Sequence, residues 1–199
     1  MSRQADLVTF SILVVCVGNV CRSPQAERLL RLRLGEQLAA PDIATHVESA
    51  GVQALVGNPM DNASVGELVR LGGDSDAFVS RQLADVYIKS ADLVLTATKD
   101  LRSRVLQDVP SALRRTFTLT EFADLVDGVQ AGALDSLVVA AANRRASAQP
   151  STYDIPDPVG AGTEVHREVA DMIDRSTRVI ATAIAAASAR ESTEAPEQV

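Results

Sequence analysis

Residues 9–17 read TFSILVVCV, an unbroken apolar run that is rich in β-branched residues. Such a run is typical of a central parallel strand that is covered on both faces. A Gly18-Asn19 turn follows directly, and SPQAERLLRLRLGEQL then places apolar residues at helical spacing. Ser23 is the expected N-cap of this helix and Pro24 its expected first residue. The chain therefore opens with a strand, a tight loop and a helix, which is the building unit of a parallel α/β fold.

The rest of the chain alternates between strand and helix patterns. Further strands are predicted at THVESAG, ADLVLTATKD and RRTFTL, with helical segments between and after them. We therefore expect one α/β domain with a doubly wound, mostly parallel four-stranded sheet and helices on both faces. This domain is expected to cover residues 8–188, and the charged residues 189–199 are expected to form a disordered tail. Residues 131–147 are predicted to be helical, either as a lid over the functional site or as part of the core.

The charge balance restricts the classes of partner. The chain has 19 basic and 26 acidic residues and a formal net charge of −7. General nucleic-acid and anionic-membrane surfaces are basic, so we expect neither partner. No apolar run approaches the roughly 18 residues of a membrane span, and the N-terminus has no signal-peptide pattern. A cytoplasmic location is therefore expected.

Cys16 and Cys21 are the only cysteines of the chain. A structural zinc site usually needs four ligands, and His46 and His166 show no ligand spacing relative to them. A permanent disulfide is not expected in a reducing compartment, and a bridge over so few residues would stabilise the fold little. The two cysteines therefore point to neither a metal site nor a structural disulfide.

The loop that contains both cysteines has the features of an anion site. It lies at the carboxyl end of a parallel strand and leads into a helix N-terminus, where free N–H groups attract anions. Gly18 and Asn19 tolerate positive φ angles, and the planar guanidinium of Arg22 suits two phosphate oxygens. Cys16 would lie at the floor of this loop, where the amides and a hydroxyl such as that of Ser23 would stabilise a thiolate. A cysteine that accepts a phosphoryl group fits these parts better than anion binding alone.

The segment VVCVGNVCRSPQAE closely resembles the phosphate-binding loop of the low-molecular-weight protein tyrosine phosphatases. Five later segments extend the resemblance over most of residues 10–185, with a weaker match at 126–150; they are ESAG, VGNPMD, SRQL, ADLVLT and DIPDP. The resemblance implies a flavodoxin-like fold and hydrolysis of phosphomonoesters, above all of protein phosphotyrosine. It also implies a phosphorylated protein as substrate, inorganic phosphate as product, and no metal or organic cofactor.

The resemblance further implies a role for each residue of the site. Cys16 attacks phosphorus and becomes a phosphocysteine, while Arg22 and the loop amides hold the phosphate oxygens. The residues whose amides line the loop are Val17, Gly18, Asn19, Val20, Cys21 and Arg22. Ser23 hydrogen-bonds the thiolate, and Ser49 is expected to bond with Asn19 in its left-handed turn. Asp157, directly before a proline, is the expected general acid and base, with Asp154 as its rival.

Cys21 is a second cysteine in the loop, and its role has two interpretations. In some members of the family a cysteine at this position forms a reversible disulfide with the nucleophile, which protects the nucleophile from irreversible oxidation. The alternative is a cysteine that only fills space.

The chain also departs from the family pattern around the expected site. Val159 and Gly160 follow Asp-Pro, where many members have tyrosines. Leu55 stands on the opposite wall, where an aromatic residue is common, and Phe78 replaces a common histidine. With few aromatic residues to clamp a phenyl ring, we expect weak turnover of aryl phosphates.

Two other functions fit the same loop. An arsenate reductase on this scaffold would have to use a low-molecular-weight thiol, because no cysteine follows Cys21. A non-catalytic phosphate-binding module would be expected to have an altered nucleophile or arginine, whereas Cys16 and Arg22 are both present.

Overall fold

Four parallel strands form the sheet in the part of the chain that this computed structural model describes, residues 8–38, 43–147 and 154–194. The strands are β1 (Val8–Cys16), β2 (Ile43–Gly51), β3 (Leu93–Thr96) and β4 (Thr116–Thr118). The helices are α1 (Arg22–Gln37), α2 (Asn62–Arg70), α3 (Asp85–Ser90), α4 (Lys99–Asp108), α5 (Leu119–Val126), α6 (Leu134–Arg144) and α7 (Thr163–Glu194). Short 3-10 helices cover Pro110–Arg115 and Arg145–Ser147.

The sheet order β2-β1-β3-β4 places β1 between two parallel neighbours. The register pairs Cys16 with Gly51 on one side and Val15 with Thr96 on the other. The direction in which strands are added therefore reverses at β1. In open parallel sheets, ligands bind at the carboxyl ends of the strands at such a switch point. The fold thus directs attention to the loop after Cys16.

Helices cover both faces of the sheet, because alternate residues of β1 enter two different cores. Ile12 and Val14 pack into the larger core, to which α1, α5, α6 and α7 contribute. Leu13 and Val15 pack into a second core that contains residues of α3 and α4. The predicted doubly wound α/β sheet is therefore confirmed.

In the described part of the chain, no helix combines the length and apolar content that a membrane crossing requires.

The start of α1 differs from the prediction. The helix begins at Arg22, and Cys21 is the N-cap residue without a capping side-chain hydrogen bond. Ser23 is therefore the second helical residue, and its hydroxyl donates to the Cys16 sulfur instead of capping the helix. The predictions of Ser23 as N-cap and Pro24 as first helical residue are wrong. The reason is that the loop turns through Asn19 and reaches helical geometry two residues earlier.

The C-terminal helix extends beyond residue 188, the expected end of the domain, since α7 continues to Glu194. Arg190 donates to the Ala131 carbonyl at 3.3 Å and to Gln130 Oε1 at 2.7 Å. Glu191 accepts a hydrogen bond from the backbone N–H of Leu134 at 3.3 Å. These charged side chains hold the helix against the segment before α6, so residues 189–194 are helical and not a disordered tail. Residues 195–199 of that predicted tail lie outside the described residues.

The segment at 131–147 belongs to the core. Leu134, Leu137, Val138 and Ala141 of α6 are buried in the larger hydrophobic cluster. Between the two alternatives for this segment, the burial of one whole face of α6 favours core packing over a lid.

Candidate active site

Cys16 is the last residue of β1, and its side chain is buried at the floor of the loop that leads to α1. Two donors point at its sulfur. The backbone N–H of Asn19 lies 3.2 Å from Sγ, and the Ser23 hydroxyl lies 2.9 Å from it. Donors directed at one sulfur stabilise negative charge on that atom.

Asn19 holds the shape of the loop. Its φ angle of 53° lies in the left-handed region, which asparagine tolerates better than most residues. Its side-chain amide donates to Ser23 Oγ and to Ser49 Oγ, both at 2.9 Å, so the expected contact with Ser49 is present. Its side-chain oxygen accepts from the backbone N–H of Arg81 at 2.8 Å. One buried side chain therefore joins the loop, α1, β2 and the segment before α3.

Glu27, which was not predicted from the sequence, extends this network. Ser49 Oγ donates to Glu27 Oε2 at 2.6 Å, and Arg31 Nη2 lies 3.0 Å from Glu27 Oε1. Glu27 is only 5% exposed, so its charge needs these partners. Its position four residues after Ser23 could have indicated that it belongs to the site, because this spacing puts both side chains on the same face of α1.

The segment after β2 lies directly against the loop. Backbone N–H groups of Val52 and Gln53 donate to the carbonyls of Cys16 and Val17 at 3.1 and 3.0 Å. A Cβ atom on Gly51 would lie 2.4 Å from the Val17 carbonyl oxygen. Only glycine permits this approach, so Gly51 sets the distance between β2 and the loop.

Arg22 connects the loop to the segment that carries Asp157. Its Nη1 donates to the Ile155 carbonyl at 3.1 Å, and its Nη2 lies 2.5 Å from Asp157 Oδ2. Ile155 is buried, and its N–H donates to the Ala97 carbonyl just beyond β3 at 2.9 Å. Asp157 is thus held beside Cys16 and Arg22, although these residues are far apart in the sequence.

Asp154, the rival carboxylate, faces elsewhere. Its Oδ1 accepts from the backbone N–H of Lys99 at 2.8 Å, at the first turn of α4. There it compensates free N–H groups and the positive end of the helix. The structure therefore brings Asp157, and not Asp154, to the loop.

A cavity of about 230 Å³ opens above Cys16. Loop residues form its floor, and Gln53, Leu55, Asp157 and Val159 form its walls. Leu55 and Val159 are 52% and 65% exposed at the rim of the cavity. Both side chains are aliphatic, and they stand at the positions where the sequence predicted that an aromatic clamp is missing. Gln53 was not identified from the sequence.

Within the described ranges, no cluster of three or more His, Cys, Asp or Glu side chains is placed to hold a metal ion.

Cys21 lies at the edge of the same cavity and is buried. Burial raises the pKa of its thiol to about 11; a hydrogen bond with Ser64 opposes this rise, and the negative charge of Asp61 adds to it. Both loop cysteines are free, with no disulfide between them. Cys21 is therefore a protonated thiol at neutral pH.

Comparison with known proteins identifies the family. The model of the family described as low molecular weight phosphotyrosine protein phosphatase matches residues 11–138, which is more than half of the chain. The chain belongs to this family. It is a hydrolase that removes phosphate, as the loop and its nucleophile predicted.

Relatives and solved structures agree with this assignment. The chain is 34% identical over 109 residues to the low molecular weight protein-tyrosine-phosphatase Ptp of Acinetobacter johnsonii, covering 55% of this chain and 71% of the relative. It is 32% identical over 167 residues to a protein-arginine-phosphatase of Geobacillus stearothermophilus, covering 83% and 89%.

The solved structure of YwlE arginine phosphatase from Geobacillus stearothermophilus aligns with a TM-score of 0.68 at 28% identity, covering 96% of this chain and 99% of that one. A mutant of YwlE arginine phosphatase with a phosphorylated active site serine aligns at 0.67 and 26% identity, covering 87% and 94%. These relatives are named phosphatases, so neither arsenate reduction nor phosphate binding without catalysis is favoured.

Proposed function

We propose that this phosphatase hydrolyses phosphomonoesters on proteins through a phosphocysteine intermediate on Cys16. The observation that carries the proposal is the convergence of Cys16, Arg22 and Asp157 on one small cavity. A nucleophile, a cation for the phosphate oxygens and a carboxylate for proton transfer are the three groups that phosphoryl transfer to cysteine requires.

Residues 17–22 act as the phosphate-binding loop in this proposal. The loop leads into the N-terminus of α1, where free N–H groups and the helix dipole favour a dianion. Arg22 contributes the positive charge. When a phosphate occupies the loop, it competes with Asp157 for the Arg22 Nη2 donor, which frees the carboxylate to face the leaving group.

The reaction then takes two steps. The Cys16 sulfur attacks phosphorus, and as the S–P bond forms and the P–O bond breaks, Asp157 gives its proton to the departing oxygen. In the second step Asp157 takes a proton from water, the water oxygen bonds to phosphorus, and Cys16 leaves as a thiolate. The Ser23 hydroxyl, 2.9 Å from the sulfur, stabilises that leaving thiolate. In the YwlE mutant described above the active site serine carries the phosphate, which supports a covalent intermediate at this position.

The substrate class is a phosphorylated protein, with phosphotyrosine as the first candidate. Phosphoarginine is the second candidate, because the arginine phosphatase relative matches a larger share of this chain than the tyrosine phosphatase relative does. The aliphatic Leu55 and Val159 also lack the stacking surface that favours an aryl ring.

Steady-state kinetics on three substrates tests both the phosphocysteine mechanism and the substrate class. Hydrolysis of p-nitrophenyl phosphate by the wild type, and none by Cys16→Ala, is expected for the phosphocysteine mechanism. Matched peptides with phosphotyrosine or phosphoarginine then separate the two substrate classes by kcat/KM. Thiol consumption that depends on arsenate, without phosphate release, would instead indicate a reductase.

We also propose a cytoplasmic location and a reversible redox role for Cys21. In a reducing compartment both cysteines stay free, and a peroxide converts Cys16 to a sulfenic acid that Cys21 can capture as a disulfide. Full recovery of the peroxide-treated wild type by added thiol, with incomplete recovery of Cys21→Ser, is the expected result. Equal recovery of both proteins would contradict the redox role.

A further inference from the structure

Aliphatic side chains at the mouth of the cavity above Cys16 remain in contact with solvent. Leu55 and Val159 line the cavity and are more than half exposed. Val56, which directly follows Leu55, is 65% exposed. We call Leu55, Val56 and Val159 the aliphatic rim. Apolar side chains that lie in water beside a binding cavity gain free energy when a partner covers them, so the rim is suited to contact with a substrate.

A tight turn after β2 holds Leu55 and Val56 in place. The backbone N–H of Asn58 donates to the Leu55 carbonyl at 3.0 Å, and Gly57 between them has a φ angle of 83°. The backbone N–H of Leu55 donates to the Gly18 carbonyl at 3.0 Å, which fixes the turn against the phosphate-binding loop. These two rim residues are therefore positioned before a substrate arrives, which lowers the entropic cost of contact with them.

A second tight turn presents Val159. The backbone N–H of Ala161 donates to the Pro158 carbonyl at 2.9 Å, and Gly160 has a φ angle of 74°. The backbone N–H of Val159 donates to Asp157 Oδ1 at 3.3 Å. The third rim residue is therefore tied to the carboxylate that we propose as the general acid.

The charges at this cavity do not favour an acidic segment of substrate. Among the described residues that line it, only Arg22 and Asp157 are charged, and they pair with each other at 2.5 Å. Arg22 is almost fully buried and serves the phosphate, so none of these lining residues leaves a cation for an acidic side chain that flanks the phosphorylated residue. The net charge of −7 on the whole chain also disfavours acidic partners.

We propose that the aliphatic rim selects phosphorylated sites that have aliphatic side chains two positions before and two positions after the phosphorylated residue. The inference rests on the proposed hydrolysis of phosphorylated proteins. In an extended peptide, side chains two positions apart lie on the same face, about 7 Å from each other. When the phosphorylated side chain enters the cavity, the side chains at positions −2 and +2 therefore face the rim, whereas those at −1 and +1 point away from it.

Three phosphopeptides of equal length test the inference through kcat/KM. The first has valine at −2 and +2 and serine at −1 and +1, the second exchanges these valines and serines, and the third has aspartate at −2 and +2. All carry phosphotyrosine or phosphoarginine, whichever the wild type hydrolyses faster. We expect kcat/KM for the first peptide to exceed that for the second by about tenfold, because only the first buries its valines against the rim. The third peptide should be the poorest substrate.

Two variants change the rim and two change matched residues elsewhere. Leu55→Asn and Val159→Thr keep the approximate size of the side chain but make it polar, so the preference for the first peptide over the second should fall to about threefold in each. Leu113→Asn and Val86→Thr change residues that are 56% and 62% exposed and do not line the cavity, so the preference should stay about tenfold. Because the preference is a ratio measured on one protein, partial unfolding of a variant does not alter it.

Three results would overturn the inference alone. They are equal kcat/KM for the first two peptides in the wild type, faster hydrolysis of the aspartate peptide, and an unchanged preference in both Leu55→Asn and Val159→Thr. Hydrolysis of p-nitrophenyl phosphate, which has no flanking residues, reports on the phosphatase mechanism independently. Its absence would overturn the proposed function, and its presence without hydrolysis of any peptide would overturn the protein substrate together with this inference.

Discussion

Arg22 Nη2 and Asp157 Oδ2 lie 2.5 Å apart, a contact between residues separated by 135 positions in the chain. The Arg22 side chain is almost fully buried, whereas that of Asp157 is about half exposed. The carboxylate can therefore rotate away from Arg22 while the guanidinium stays in the loop. This asymmetry suits an acid that must meet both a leaving group and a water molecule.

Replacement of Asp157 should therefore affect poor leaving groups most. In Asp157→Asn we expect kcat/KM for an unactivated aryl phosphate to fall by about 10²–10⁴-fold. The loss should be smaller for a nitrophenyl ester, whose oxygen leaves without a proton. The measurement is a plot of log kcat/KM against the pKa of the leaving phenol, which should become steeper in the variant.

Asp154→Asn is the matched control, because this carboxylate contacts the first turn of α4. Its leaving-group dependence should equal that of the wild type. A steeper plot for Asp154→Asn, with Asp157→Asn unchanged, would reassign the general acid.

Gly51 offers a test of how closely β2 must approach the loop. In Gly51→Ala the added Cβ meets the Val17 carbonyl oxygen at 2.4 Å and the Asn19 nitrogen at 2.9 Å, and both are backbone atoms. We expect a loss of about 1–3 kcal/mol in the free energy of unfolding. We also expect kcat/KM to fall on the order of a hundredfold as the loop shifts.

Gly35→Ala provides the control within α1, since nothing lies within 4 Å of a Cβ atom there. Alanine in a helix interior should raise the free energy of unfolding by about 0.5–1 kcal/mol and leave kcat/KM unchanged. Both quantities follow from urea denaturation and p-nitrophenyl phosphate hydrolysis. Wild-type activity in Gly51→Ala would show that the loop tolerates displacement.

The buried ion pair between α1 and α7 predicts a loss of stability in acid. Burial raises the pKa of Asp174, but hydrogen bonds from Arg178 and Arg33 outweigh that effect and hold it below its ordinary value. A carboxyl group with a depressed native pKa stabilises the fold above its unfolded pKa, about 3.9, and the contribution is lost as pH falls through the native value.

Asp174→Asn should cost about 3 kcal/mol at pH 7, because Arg33 loses its buried partner. Arg178→Met, which removes a half-exposed partner of the same carboxylate, should cost about 1 kcal/mol or less. Urea denaturation at several pH values measures both. The difference between wild type and Asp174→Asn should shrink below about pH 4, and a constant difference would argue against the charged pair.

The sequence predicted the parallel α/β fold because apolar runs and helical periods alternate along the chain, and it predicted the loop because its motif is continuous. The side chains that meet across the fold were harder to find. Glu27 and Arg33 lie beside the apolar stripe of α1, where the hydrophobic periodicity predicts that a charged residue is exposed, but both are buried. Their burial depends on Ser49 and Asp174, which tertiary packing brings close. The early start of α1 was also missed, since the left-handed turn at Asn19 shortens the loop.

Detection of the covalent intermediate tests the central claim most directly. In Asp157→Ala the second step lacks its base, so an aryl phosphate with a good leaving group should load phosphate onto the enzyme faster than water removes it. After a rapid denaturing quench, mass spectrometry of the peptide that contains Cys16 should show phosphorylation approaching one phosphate per enzyme. The same peptide from Cys16→Ala should show none. Phosphate release without any phosphorylated Cys16, or turnover at the wild-type rate in Cys16→Ala, would contradict the phosphocysteine mechanism.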